Sequence, residues 1–110
     1  MLMKLIFAIM HDEDSRKVTD TLNSLDYRVT KLCSTGGFLR AGNTTLMIGI
    51  EDEELENVLD IIKTHSERRK QYIQTYAHSS FNAGILPDGI EVNVGGSTVF
   101  VIEITQMEKF

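Results

Sequence analysis

Apolar and polar positions recur along the chain with periods that predict a mixed α+β fold. Residues 2–10 form an almost unbroken apolar run, which is typical of a central strand covered on both faces. An acidic segment follows and begins a helix, in which Asp12 or Asp14 can cap the first turn. This helix directs one apolar stripe toward a core, at the i, i+4 and i+7 positions Val18, Leu22 and Leu25.

The middle of the chain predicts two further strands and a second helix. A strand is expected from about Tyr27 to Cys33, with Cys33 buried in it, and another at residues 44–50. Acidic residues 52–54 then begin the second helix. Its buried stripe is the clearest periodic signal in the chain and consists of Leu55, Val58, Leu59, Ile61 and Ile62. Basic residues 67–70 lie at the expected end of this helix, where the dipole favours cations, so a solvated helix end is preferred over a phosphate site.

The last third of the chain predicts a long loop and two strands. Residues 71–88 have no periodicity and contain the single proline, and a loop of this length in a small domain is typically functional or mobile. We expect it to be mobile without ligand. Residues 90–94 alternate between apolar and polar, Gly95 and Gly96 indicate a hairpin turn, and residues 98–104 form a strong final strand.

These elements predict a ferredoxin-like fold. Their order is β-α-β-β-α-β with an added strand before the last, which corresponds to an antiparallel sheet with two helices on one face and an extra C-terminal hairpin strand. Phe7, Met47 and Phe100 cannot all point at two helices, so the other sheet face needs a cover. Self-association through that face is the economical solution.

The composition indicates a single cytosolic domain, residues 1–110. A length of 110 residues closes one core, and the apolar fraction of 42% and charged fraction of 25% are ordinary. No apolar run approaches the roughly 20 residues of a membrane span, and residues 1–10 lack the cleavage site of a signal peptide. The single cysteine excludes an internal disulfide framework, and the net charge of −5 argues against a nucleic-acid polymer as a partner.

A glycine-rich loop at residues 34–45 carries the most distinctive chemistry. Its glycines leave backbone N–H groups open to a ligand, and Phe38 and Leu39 are apolar in the middle of a polar segment. Residues 27–45 contain three cations and no acid. A positive field beside exposed amides and an aromatic face indicates a nucleotide or phosphate site. A glycine-rich hairpin loop with incidental charges is the alternative.

This loop departs from a nucleotide-hydrolysing P-loop. Asn43 stands where the phosphate-binding lysine belongs. The chain then continues as a strand, whereas a P-loop opens a helix whose N-terminus receives the phosphates. Hydrolysis of a nucleoside triphosphate by that mechanism is therefore not expected.

Groups suited to catalysis or metal binding are scarce. His11 precedes the acidic residues 12–14, but consecutive residues at a helix start diverge and no second His or Cys lies at ligand spacing. Capping and solvation are therefore expected there. His65 and His78 have no nucleophile at motif spacing. The sequence predicts neither a metal site nor an enzyme.

Residues 27–45 closely resemble the signature of the PII-like cyclic-di-AMP receptor family, with its long T-G-G-F-L-x-x-G-N-T-T run. Residues 94–101 and Phe110 also resemble the family, and the similarity covers nearly the whole chain except residues 65–88. The resemblance implies a homotrimer that binds cyclic di-AMP in clefts between subunits and passes the signal through mobile loops. Residues 66–88 are then a candidate surface for an unknown protein partner. Matched to the family motif, the ligand-binding residues are Arg28, Thr30, Gly37, Phe38, Leu39, Asn43 and Gly49.

The resemblance also suggests what these residues do. Phe38 would lie against an adenine face, and Asn43 with backbone groups would contact the polar edge of the base. Arg28 with Thr30 would contact phosphate oxygens. No cofactor is implied beyond the ligand cyclic di-AMP itself.

The chain departs from the family pattern at three places. Asp26 replaces a frequent Asn, Lys109 replaces a frequent Gln, and residues 82–88 stand in place of the family's M-G-G and P-Y-P segments. Two other classes of function therefore stay open. One is a PII-like sensor of ATP or ADP, and the other is a small enzyme or metal-binding trimer of the same fold.

Overall fold

The computed structural model describes residues 2–32, 42–73 and 90–110. Its strands are β1 Met3–His11, β2 Val29–Leu32, β3 Asn43–Glu51, β4 Arg69–Ile73, β5 Ile90–Val94 and β6 Ser97–Ile104. Its helices are α1 Asp12–Ser24 and α2 Leu55–Ser66, and a single 3-10 turn at Asp52–Glu54 leads into α2. Of the predictions above, Cys33 and most of the long loop, residues 74–88, lie outside the described residues.

Four strands form one antiparallel sheet in the order β2-β3-β1-β6. β1 is central, as predicted, because β3 pairs along one of its edges and β6 along the other. Both helices pack on one face of this sheet, and this arrangement of strands and helices is the ferredoxin-like plan. The predicted fold class is confirmed.

The core lies between the sheet and the two helices. Residues on alternate positions of β1 and β3 point at the helices, as the period of two in a strand requires. The predicted stripe of α2 is confirmed, since its members are buried or packed against the core. The buried apolar residues are Ile6, Ala8, Met10, Val18, Leu22, Leu46, Ile48, Ile50, Val58 and Ile62.

The end of α1 differs from the prediction. Val18 and Leu22 are fully buried, but Leu25 is 55% exposed. The reason is that α1 ends at Ser24 and the chain then turns through Asp26, whose φ of 66° is left-handed. Helical spacing therefore no longer applies at Leu25.

The sheet face opposite the helices carries apolar side chains. Phe7 pairs with Met47 in β3 and with Phe100 in β6, so these three side chains share one face, as predicted. Phe100 is 53% exposed. No helix in the described parts of the chain is long and apolar enough to cross a membrane.

β4 and β5 form a separate two-stranded sheet, and three predictions are wrong here. The basic residues 67–70 do not end a helix, because α2 stops at Ser66 and Arg69 begins β4. Residues 71–73, predicted as loop, belong to β4. β5 pairs with β4, not with β6, so Gly95 and Gly96 connect two sheets and do not turn a hairpin.

An ion pair with a buried carboxylate connects the two-stranded sheet to α1. Asp14 is 2% exposed, and Arg69 Nη2 lies 2.9 Å from its Oδ1. Arg69 Nη1 also donates to the carbonyl oxygen of Glu67 at 3.1 Å. Gly95 has a φ of 80°, and a Cβ there would lie 2.4 Å from that same carbonyl oxygen. Only glycine fits this connection.

The first turn of α1 is not capped as predicted. The N-cap residue is His11, and it makes no side-chain capping bond. The carboxylate of Asp12 instead accepts a hydrogen bond from the hydroxyl of Thr44, and that of Asp14 is paired with Arg69. Both carboxylates therefore bind residues that are distant in the sequence, and neither caps the helix.

Candidate functional site

Three of the residues matched to the family motif lie together at one end of β2 and β3. Thr30 pairs with Met47 and Val29 with Ile48, and the same register one step beyond Val29 places Arg28 opposite Gly49. Arg28 and Gly49 both line an open cavity of about 300 Å³. Side chains of paired residues in an antiparallel sheet share a face, so this group lies on the face opposite the helices.

The connection from α1 to β2 determines where Arg28 lies. The N–H of Tyr27 donates to the carbonyl oxygen of Leu22 at 2.9 Å, and that of Asp26 donates to Asn23 at 3.1 Å. Asp26 occupies the left-handed region, which Asn and Asp tolerate better than most residues. Both residue types therefore suit this turn, and the replacement of Asn by Asp has a backbone explanation.

No contact within the described parts of the chain requires a glycine at position 49. It lies inside β3 opposite Leu5, where glycine lacks a side chain to pack and weakens a strand. Among the residues that the structure describes, no atom lies within 4 Å of a Cβ built on Gly49. Glycine inside a strand often marks a place where a ligand or another backbone approaches closely.

Asn43 lies at the opposite end of β3. It pairs with His11 and is six positions from Gly49, a distance of about 20 Å along a strand. An even spacing leaves both residues on the same face of the sheet. Gly37, Phe38 and Leu39 lie outside the described residues, so the structure brings together Arg28, Thr30 and Gly49 and leaves Asn43 apart from them.

Acidic residues share the cavity of Arg28. Asp26, Glu51 and Glu54 line the same cavity. The hydroxyl of Tyr27 donates to Oε2 of Glu54, and Nδ2 of Asn57 donates to the same oxygen at 3.3 Å. The bond from Tyr27, followed by that from Asn57, holds the pKa of Glu54 below its ordinary value of 4.5. The bond to Glu54 also raises the pKa of Tyr27, with desolvation adding to it.

Comparison with known proteins identifies the family of this chain. A family model described as cyclic-di-AMP receptor matches residues 3–110. The chain belongs to the cyclic-di-AMP receptor family. A solved structure of a functionally unknown protein from Pediococcus pentosaceus ATCC 25745 is also similar, at 42% sequence identity and a TM-score of 0.79. That match covers 100% of this chain and 99% of the other.

Membership of the cyclic-di-AMP receptor family confirms the resemblance found in the loop and its flanking strands. The family is PII-like, and a receptor binds its ligand without needing catalytic groups. Within residues 2–32, 42–73 and 90–110, no group of three His, Cys, Asp or Glu side chains is arranged to hold a metal ion.

Sequence reasoning missed two residues beside the proposed receptor site, Tyr27 and Glu54. Tyr27 precedes Arg28, and neighbouring residues of an extended chain point to opposite faces, which is a usable signal. Its partner Glu54 lies 27 residues further along the chain, and no spacing rule connects the two. Only the packing of the 3-10 turn beside the start of β2 brings them together.

A larger cavity of about 570 Å³ lies between the first turn of α1 and the two-stranded sheet. Two of the charged groups that line it are engaged with each other, since Arg69 is paired with the Asp14 carboxylate. Lys70 of the same basic segment lies 3.2 Å from Glu91 on β5. Arg69 and Lys70 of this basic segment therefore form ion pairs at the junction.

Proposed function

We propose that this protein is a non-enzymatic sensor that binds cyclic di-AMP and passes the signal to a protein partner. The observation that carries the proposal is Gly49 beside Arg28 on an open sheet face. The missing side chain at Gly49 leaves space that none of residues 2–32, 42–73 and 90–110 fills. Arg28 provides a guanidinium group with the geometry to bind phosphate oxygens.

The proposed binding site uses the residues matched to the family motif. Arg28 and Thr30 bind phosphate oxygens, and the backbone at Gly49 lets the ligand approach closely. Phe38 stacks on an adenine, flanked by Gly37 and Leu39, and Asn43 hydrogen-bonds the edge of a base. The distance of about 20 Å between Asn43 and Gly49 supports a site completed between subunits.

We propose a homotrimer as the functional form. The face that carries Phe7, Met47 and Phe100 lies opposite the helices, and exposed apolar area of this kind marks an association surface. Light scattering across micromolar concentrations is expected to give three times the mass of one chain. A monomer throughout that range would contradict the trimer.

Calorimetric titration with cyclic di-AMP, ATP and ADP tests the ligand. We expect Arg28→Ala to weaken binding of cyclic di-AMP by about 10- to 150-fold, because a charge-assisted hydrogen bond is lost. Lys31→Ala is the matched control, since Lys31 lies in β2 three residues after Arg28 and pairs with the buried Leu46 on the helix side. It removes the same charge but should change affinity by less than about twofold.

The alternatives are outcomes of the same experiment. Binding of ATP or ADP in place of cyclic di-AMP would assign the chain to a PII-like sensor of those nucleotides. If titration with each of the three nucleotides gives no heat of binding, the proposal is wrong. The further expectations are that residues 1–110 act as one domain in the cytoplasm and that residues 66–88 contact the partner.

A further inference from the structure

Arg28 shares its cavity with carboxylates, which poses a problem for a phosphate site. Asp26, Glu51 and Glu54 all line the cavity, so Arg28 is outnumbered by negative charges. A carboxylate that reaches the guanidinium group would compete with a phosphate for the same N–H donors. A phosphate site of this composition requires that its carboxylates bind groups other than Arg28.

Glu54 is the carboxylate whose partner the structure identifies. Its Oε2 accepts hydrogen bonds from the Tyr27 hydroxyl and from Asn57 Nδ2. The ring of Tyr27 is half-buried against the core, so the hydroxyl is held at a fixed position. These bonds also lower the pKa of Glu54, because they stabilise its charged form.

We propose that Tyr27 is a positioning residue that holds Glu54 away from Arg28 and so keeps the guanidinium available to an anionic ligand. This inference rests on the proposed function, because it concerns the same phosphate-binding Arg28. The residue that precedes Arg28 thus acts on the ligand indirectly, through a carboxylate from the turn before α2.

Tyr27→Phe is the direct test, since it removes the hydroxyl and retains the ring. With Glu54 released to pair with Arg28, cyclic di-AMP should bind about three- to fivefold more weakly by calorimetry. Adding Glu54→Gln removes the competing charge, so the double variant should return to within about twofold of wild type. A hydrogen bond with only a structural role would not allow this rescue.

The single variant Glu54→Gln provides a second test by the same titration. Because Tyr27 already restrains Glu54 in the wild-type protein, this variant should bind within about twofold of wild type. Wild-type affinity in Tyr27→Phe, or a double variant as weak as Tyr27→Phe, would overturn the inference. A several-fold gain in affinity from Glu54→Gln alone would also overturn it, since it would mean that Glu54 competes even when Tyr27 is present.

A measurement without ligand separates this inference from the proposed function. Carbon NMR titration of the Glu54 carboxyl group reports its pKa directly. In the Tyr27→Phe background, replacing Arg28 by Ala should raise that pKa more than the same replacement does in wild type. Equal changes in the two backgrounds would refute the inference. Failure of the wild-type protein to bind cyclic di-AMP would refute the proposed function alone.

Discussion

Alanine substitutions at Gly49 and Gly95 should change stability in opposite directions. Gly49 is extended and a Cβ there meets no atom of the described part of the chain within 4 Å, so alanine mainly reduces the entropy of the unfolded chain. This effect stabilises by about 0.4–1 kcal/mol and should raise the melting temperature by about 2–6 °C. Gly95 has a φ of 80°, and a Cβ there would lie 2.4 Å from a backbone oxygen. The left-handed conformation and the overlap together should cost about 2–4 kcal/mol.

The two variants also differ in what they do to binding. If cyclic di-AMP approaches the backbone at Gly49, the added methyl group should weaken binding by about 5- to 150-fold. Calorimetric titration measures this, and differential scanning calorimetry of the same samples measures stability. Light scattering of Gly49→Ala shows whether the methyl group disturbs the ligand or a neighbouring subunit. A Gly49→Ala protein that melts as low as Gly95→Ala, or that binds as wild type does, would refute the reasoning.

Three further predictions concern other parts of the molecule. Arg69→Gln leaves the buried carboxylate of Asp14 without its guanidinium partner and should destabilise by about 1–3 kcal/mol in urea denaturation, and an unchanged midpoint would contradict the role of that pair. Phe38→Ala should weaken cyclic di-AMP binding by about 1–3 kcal/mol with little change in melting temperature, and wild-type affinity would exclude stacking. Because the folded pKa of Glu54 is lowered, its contribution to stability is present above pH 4.5 and is lost as the pH falls through the folded value. Denaturation midpoints measured at acidic pH should therefore decline less steeply when Tyr27→Phe is combined with Arg28→Ala, which prevents Arg28 from replacing Tyr27 as the partner of the carboxylate, and curves parallel to those of Arg28→Ala alone would argue against the Tyr27 bond as the cause.

The elements with a strong local pattern could be predicted from the sequence. β1 is an almost unbroken apolar run and α2 repeats its apolar positions over several turns, so local pattern and tertiary burial agree. β4 could not be predicted, because its five residues show no clear alternation and their partner β5 begins at Ile90. Pairing between strands so far apart in the sequence produces no recognisable pattern within a short stretch of residues.

The candidate site could be predicted only in part. The family motif identified Arg28 and Gly49, and the register of β2 and β3 places them at the same end of the sheet. The link between Tyr27 and Glu54 depends on the packing of a turn against a strand, which no spacing rule describes. The charges at the start of α1 were misassigned for a similar reason, since Asp14 has a distant partner in Arg69.

The separation of the chain into two sheets has a consequence for how its sequence can vary. Every fully buried apolar side chain in the described residues comes from β1, β3, α1 or α2, and none from β4 or β5. A two-stranded sheet that contributes nothing to the core can change in length and sequence without loosening that core. Insertions and substitutions there need only preserve the ion pair at Arg69 and the glycine at position 95. This part of the molecule is therefore free to acquire new partners while the larger sheet keeps its shape.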